Sequence, residues 1–298
     1  MSLITKILIT GTTGFVGMHL VDELKKYNYK VKCLVRKNLE KAGIELIYGN
    51  LSNKDSIDAA TKNTDIIIHL AGVIKAKKED YEKINVGGTK NLVDSSIKNN
   101  VKKIIFFSSI LVKEKDDPYG QSKLKSELLI QESGINYTIF RPTIIYGSGD
   151  KKNITKLIKL VKKYPVIPVW GGGDYLIQPV HVNDVVKTTA LAIKNKKTDG
   201  KIYNIAGPSP ISYNNMIDII SKNLNKKRVK MHIPLFLFKP FVYIYQTFSK
   251  NPVITTKQLS YLTKNNIVDI AEAKRDLKFN PIDIEEGLAQ CISQYREI

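Results

Sequence analysis

Cysteine, histidine and tryptophan are scarce: two, four and one among 298 residues. Cys33 lies in an apolar run and Cys291 in an amphipathic one, in neither metal-ligand nor redox spacing. That excludes a disulfide framework, a dithiol redox motif and, with the histidines scattered, a metal centre. Two packed free thiols point to a reducing, cytoplasmic setting. Acids are also few, 28 against 47 lysines and arginines, for a formal net charge of +19. Such a field suits nucleic acid, an anionic membrane surface or a phosphorylated substrate. The lysines are spread over the whole length, however, and stretches such as "IKAKKEDYEK" mix them with acids. No nucleic-acid reader motif accompanies them, so nucleic acid is not expected as a partner. Long apolar runs are missing too, since none reaches the ~18 residues that span a bilayer. The nearest, "IPLFLFKPFVYIYQTF", is broken by Lys239 and Pro240, and the start "MSLITKILIT" is too short for a signal peptide.

What is present is alternation. β-branched runs ("KILIT", "VKCLV", "IELIY", "DIIIHL", "KIIFFSS", "YTIF") are separated by segments of helical period near 14–26, 54–61, 80–98 and 118–133. Strands apolar on both faces, joined by crossovers long enough for helices, predict an α/β fold with a doubly wound parallel sheet. After Pro142 the rhythm loosens. A lysine-rich amphipathic helix, a turn-rich connection at "PVIPVWGGG", and helices near 182–195, 213–224 and 284–296 are expected there. The expected division is residues 1–149 as the sheet domain, with 176–206 returning to it, and 150–298 as a smaller, mostly helical substrate region.

Between the first strand and first helix lies "ITGTTGFVG", with Gly11, Gly14 and Gly17. Glycines there let the backbone approach a pyrophosphate, whose charge the helix N-terminus favours, so the turn predicts a Rossmann-type dinucleotide site. Strand two ends in Val35, Arg36 and Lys37 with no acid. An arginine at that place suits the 2′-phosphate of NADP, so NADP(H) is favoured, with NAD(H) as the alternative.

The stretch "PYGQSK" sets Tyr119 and Lys123 four apart at a helix start, on one face. An ammonium near a phenol favours the phenolate, which would lower the Tyr119 pKa and fit it to pass a proton to or from a carbinol. Ser109, in "FFSSI" at a strand end where open α/β sheets bind ligands, can reach the same oxygen.

With these motifs in hand, the chain resembles the extended short-chain dehydrogenase/reductase superfamily, which includes nucleotide-sugar epimerases and dehydratases. "DIIIHLAG", "INVGGTKNLVDSS", "RPTIIYG" and "HVNDVV" extend the resemblance over nearly the whole length. It implies that Tyr119 is the acid/base, that Lys123 tunes it and holds the nicotinamide ribose, and that Ser109 polarises the substrate oxygen. It also implies a cofactor surface built from Gly11, Thr13, Gly14, Phe15, Val16, Gly17, Arg36, Lys37, Asn50, Leu51, Leu70, Ala71, Gly72, Asn85 and Pro142, together with Tyr119 and Lys123. Asn50 stands where many relatives have an Asp that touches adenine. A homodimer through the helices bearing Asn85 and Tyr119 is implied as well.

Departures narrow the substrate. Ile110 and Leu111 replace the Asp-Glu pair of sugar-nucleotide 4,6-dehydratases, so that dehydration is not expected. Ile177 replaces the arginine with which epimerases pair a substrate diphosphate, leaving Lys152, Lys156, Arg228 or Arg275 as substitutes. The second half is also similar to atypical members related to the dinucleotide-binding accessory subunit of respiratory complex I, regarded as binding cofactor without turnover. Three readings therefore stand: an epimerase or oxidoreductase of a small-molecule carbinol or ketone, nucleotide-sugar foremost; a reductase of a lipid- or steroid-like ketone; and a non-catalytic subunit or assembly factor at a membrane. Residues 233–248 form a helix apolar over much of its circumference, flanked by Lys230, Lys239 and Lys250. It suits either a lid or domain contact, or peripheral contact with the inner membrane face.

Overall fold

The computed structural model describes residues 4–37, 43–249 and 264–296. Lys250 and the stretch "NPVITTKQL" that follows it, with the side chains of Leu237, Phe238 and Lys239, lie outside the described residues. The chain forms two compact units, one of Met1–Thr143, Val182–Ile205 and Asp269–Asn280, the other of Ile144–His181, Ala206–Val268 and Pro281–Ile298.

The first unit is built on a seven-stranded parallel sheet. Its strands are β1 (Lys6–Thr10), β2 (Lys30–Val35), β3 (Glu45–Tyr48), β4 (Ile66–His69), β5 (Lys103–Phe107), β6 (Asn136–Pro142) and, far along the chain, Lys201–Ile205. The order across the sheet is Lys201–Ile205, β6, β5, β4, β1, β2, β3. From β1 the chain winds outward through β2 and β3, then returns to lay β4 on the other side of β1. The switch of direction therefore falls between β1 and β4, where such sheets bind ligands beyond their carboxyl ends. The central strands are covered on both faces, which is why "IIIH" and "KIIFF" are buried at every position.

Crossover helices are set by local signals. In α1 (Phe15–Leu24), Gly14 stands at the N-cap with no side-chain bond to the first turn. Asn53 caps α2 (Lys54–Thr61) by accepting from the Ser56 amide at 3.0 Å. A short α3 (Lys78–Asp80) runs through a π-helical turn, Tyr81–Val86, into α4 (Gly87–Lys98). Asp117 caps α5 (Pro118–Gln131), accepting from the Gly120 amide at 2.6 Å, with Pro118 opening the helix. The helix Ala271–Leu277 belongs to this unit, and its Asp276 accepts from Tyr203 Oη at 2.9 Å and pairs with Lys201 Nζ at 2.7 Å.

The second unit has its own apolar core, formed by Tyr146, Ile154, Leu157, Ile167, Met216, Leu288 and their neighbours. Here the expected turn-rich connection divides: Val166–Trp170 is a strand, and the turn is confined to the glycines that follow it. Val166–Trp170 pairs in parallel with Val229–Ile233, placing Pro168 opposite Met231 and Trp170 opposite Ile233. A two-stranded ribbon leaves each strand one open edge, and such an edge tolerates a proline that a central strand would not. His181 packs edge-on to Tyr146, with ring centroids 5.3 Å apart. Asp184 lies inside the first turn of the helix Val182–Ile193.

Candidate active site

The glycine turn is built by close backbone contacts. Gly11 adopts φ +80°, and a Cβ there would stand 2.6 Å from the Ala71 nitrogen in the segment after β4. A Cβ at Gly17 would stand 2.4 Å from the Gly11 carbonyl oxygen, so helix α1 approaches the turn too closely for any side chain. The Gly14 amide closes the turn on Gly11 O at 3.0 Å. Thr13 and Gly14 are exposed, while Phe15 and Val16 are half-buried. A bare cradle at a helix N-terminus whose cap adds no side-chain bond, positioned at the sheet's switch point, fits a dinucleotide pyrophosphate. Gly17→Ala is expected to cost ~1–3 kcal/mol of stability through overpacking and to weaken dinucleotide binding; thermal unfolding and titration measure the two effects.

Around this cradle the remaining positions divide. Arg36 and Lys37 are exposed just beyond β2. Asn50 is exposed beyond β3, with its Oδ1 accepting from the Ser52 amide at 2.9 Å, so the oxygen anticipated for adenine closes a local turn. Leu51 is buried, and its carbonyl accepts from Asn91 Nδ2 at 3.0 Å. Leu70 and Ala71 are half-buried after β4, and Gly72 is exposed. Pro142 is buried at the end of β6, opposite Ile205.

Asn85 is a clamp. From the π-helical turn it exchanges two bonds with Val73, accepting from its amide at 2.8 Å and donating to its carbonyl at 3.1 Å, and it also donates to Ser122 Oγ on α5 at 3.0 Å. A second relay runs through the buried His69, a hydrogen-bonded core histidine as a lone histidine in an apolar strand suggests: its Nδ1 meets Thr10 Oγ1 at 2.6 Å and its Nε2 meets Thr89 Oγ1 at 3.1 Å. Burial and the nearby Lys123 push the His69 pKa down to about 3, keeping the ring neutral. Nothing in a lone histidine in an apolar run identifies its threonine partners, which come from two other elements.

Ser109 ends the segment after β5 and is buried, its Oγ accepting from the Leu111 amide at 3.2 Å. Tyr119 and Lys123 lie one turn apart on α5. Lys123 is buried, with its Nζ 4.0 Å from the centroid of the Phe106 ring on β5. The Tyr119 ring stands 6.1 Å from that of Tyr81. Arg141 on β6 donates through Nε to Glu127 Oε1 at 2.9 Å, neutralising a fully buried carboxylate one turn beyond Lys123.

The electrostatics correct one expectation. Burial pushes the Lys123 pKa down to about 7, against the pull of Glu127. The Tyr119 phenol is pushed up, by burial first and then by Asp117 and Tyr81. The desolvation that makes the lysine easy to deprotonate also penalises a phenolate, so the phenol moves opposite to the pairwise expectation.

In the second unit, Ile177 is a core residue paired with Ile211. Arg228 donates to the carbonyls of Val161, at 2.6 Å, and Lys162, so its guanidinium closes a helix end. Arg275, in the first unit, pairs with Asp276 at 2.9 Å. Lys152 and Lys156 are exposed.

Residues 7–206, about two-thirds of the chain, match the model of the NAD dependent epimerase/dehydratase family, and the chain belongs to that family of enzymes. It is 29% identical to the UDP-glucose 4-epimerase of Vibrio cholerae, over 97% of this chain and 95% of that protein. It is 28% identical to subunit 9 of the mitochondrial NADH dehydrogenase [ubiquinone] 1 alpha subcomplex of Dictyostelium discoideum, over 97% and 84%. A solved UDP-glucose 4-epimerase of Thermotoga maritima shares the fold at TM-score 0.77 and 21% identity, over 98% of this chain and 99% of that one.

Proposed function

We propose that this enzyme acts on a secondary carbinol or ketone of a nucleotide-sugar, with Ser109, Tyr119 and Lys123 at the reacting oxygen. The observation that carries the reading is the seating of Lys123 against β5, one helical turn from Tyr119, beside the strand end that bears Ser109. The dinucleotide, when bound, supplies the hydride acceptor and donor. Tyr119, kept protonated, donates to a ketone oxygen and takes the proton back from a carbinol, while the Ser109 hydroxyl hydrogen-bonds the same oxygen. Near neutral pH Lys123 is poised between charged and neutral forms, and the charged form favours transient phenolate. The Gly11–Gly17 turn would hold the pyrophosphate, and Asn85 keeps α5 in place. A panel of UDP-sugars, assayed for epimer formation and for reduced cofactor, tests the reading; no conversion of any of them would sink it.

A preference for NADP(H) is part of the proposal, supported by the two exposed cations and the absence of an acid at the end of β2. Arg36→Asp is expected to shift the NADP⁺/NAD⁺ affinity ratio by about ten- to a hundredfold toward NAD⁺, the worth of a charge-assisted pair. Calorimetric titration of both nucleotides reads this directly, and tighter NAD⁺ binding by the wild-type protein would refute the preference.

A second reading, a lipid- or steroid-like ketone, rests on Ile177 and Arg228, neither of which offers a free cation to a diphosphate. A homodimer through α4 and α5 is also proposed, supported by the exposure of Ile97 and Leu128 on those helices.

A further inference from the structure

Among the described side chains of the helix Leu235–Phe248 in the second unit, none is charged. Val242 packs inward at 2% exposure, while Phe236, Phe241, Ile244 and Phe248 stand 72%, 70%, 55% and 84% exposed. Phe241, Ile244 and Phe248 are spaced three and four apart, which lines them along one stripe of the helix. A soluble surface seldom shows a contiguous aromatic patch of this kind without a partner.

The chain around the helix identifies that partner by charge. Between Ala206 and Val268 there are nine lysines and arginines and a single acid, Asp218. That acid pairs with Lys230, and along the sequence the segment carries a formal surplus of eight positive charges on either side of and within the helix. At fourteen residues the helix is ~21 Å long, short of the ~30 Å of a bilayer core, and no described helix is long and apolar enough to cross a membrane. A short helix with aromatics outward in a cationic surround matches the chemistry of a helix lying in the interface plane of an anionic bilayer.

We infer that the Leu235–Phe248 helix docks this protein on anionic lipid surfaces, inserting Phe241, Ile244 and Phe248 below the headgroups while neighbouring lysines face the phosphates. The inference goes beyond the reading of the active site, because docking is measured without substrate and is indifferent to which carbinol is turned over.

The test is flotation of the full chain with vesicles of phosphatidylcholine and phosphatidylglycerol mixed about 2:1, against phosphatidylcholine alone. The wild-type protein is expected to float with the mixed vesicles, less with the neutral ones, and less again as salt rises. Phe241→Glu and Phe248→Glu are each expected to lower the partition coefficient at least about tenfold, as the loss of one buried aromatic side chain dictates. Lys226→Glu with Lys227→Glu, which leaves the stripe untouched, is expected to lower binding to the mixed vesicles only. Absence of flotation, or flotation unchanged by the phenylalanine substitutions, overturns the inference. So does a concentration-dependent dimer that those substitutions dissolve without any vesicle binding, since a second copy would then be what covers the stripe.

Discussion

Tyr119→Phe is expected to lower turnover by ~10²–10⁴-fold, the usual worth of a positioned proton donor, and to leave dinucleotide affinity nearly unchanged. The variant keeps the ring that packs against Tyr81 and removes only the hydroxyl, so folding is not at issue. Because the phenol is pushed up by burial and by Asp117, the wild-type group stays protonated through the neutral range, the form that the proposed donation to a ketone oxygen requires. Steady-state rates in both directions, with binding measured separately, are the readout. A variant that keeps wild-type turnover would remove Tyr119 from the mechanism.

The second large effect runs the other way. Lys123→Met is expected to abolish turnover and yet stabilise the fold, because it deletes a buried ammonium that costs free energy to desolvate. Lys123 titrates near pH 7 when folded and from an ordinary value of 10.5 when unfolded. Below about pH 7 both states hold the proton and the full cost applies, on the order of 3–5 kcal/mol. As pH rises from about 7 toward 10.5 the unfolded chain binds the proton that the folded chain has released, so wild-type stability climbs and the advantage of methionine shrinks. Denaturant melts of both proteins at pH 6 and pH 9 measure the difference. An equal gain at both values would show that Lys123 is not the strained group described here.

Much of this was legible from residue order, for identifiable reasons. Strands apolar on both faces declare a sheet covered on both sides, and Gly11, Gly14 and Gly17 declare a turn, because each property is local. The strand Val166–Trp170 was hidden, since Pro165, Pro168 and the three glycines imitate a loop and its partner Val229–Ile233 lies some sixty residues away. The return of Ala271–Leu277 to the first unit was hidden for a related reason: what holds it is the meeting of Asp276 with Tyr203 and Lys201, a contact with no periodicity to betray it. At the candidate site, spacing brought Tyr119 and Lys123 onto one face but could not weigh desolvation against charge. The direction of the Tyr119 shift therefore came out opposite to the pairwise argument.

The π-helical turn Tyr81–Val86 has a consequence for anyone comparing this chain with its relatives. A widened turn carries one residue more than an α-helix of the same rise, so positions before it are rotated by about 100° relative to those after it. A helical wheel drawn unbroken from Lys78 to Lys98 assigns Tyr81 and Asn85 to the wrong sides. An alignment that closes the helix by deleting one residue there erases the join between three segments, because Asn85 in a regular helix would turn away from both Val73 and Ser122. The length of this turn, as well as the asparagine within it, is what a homologue must keep to retain the clamp.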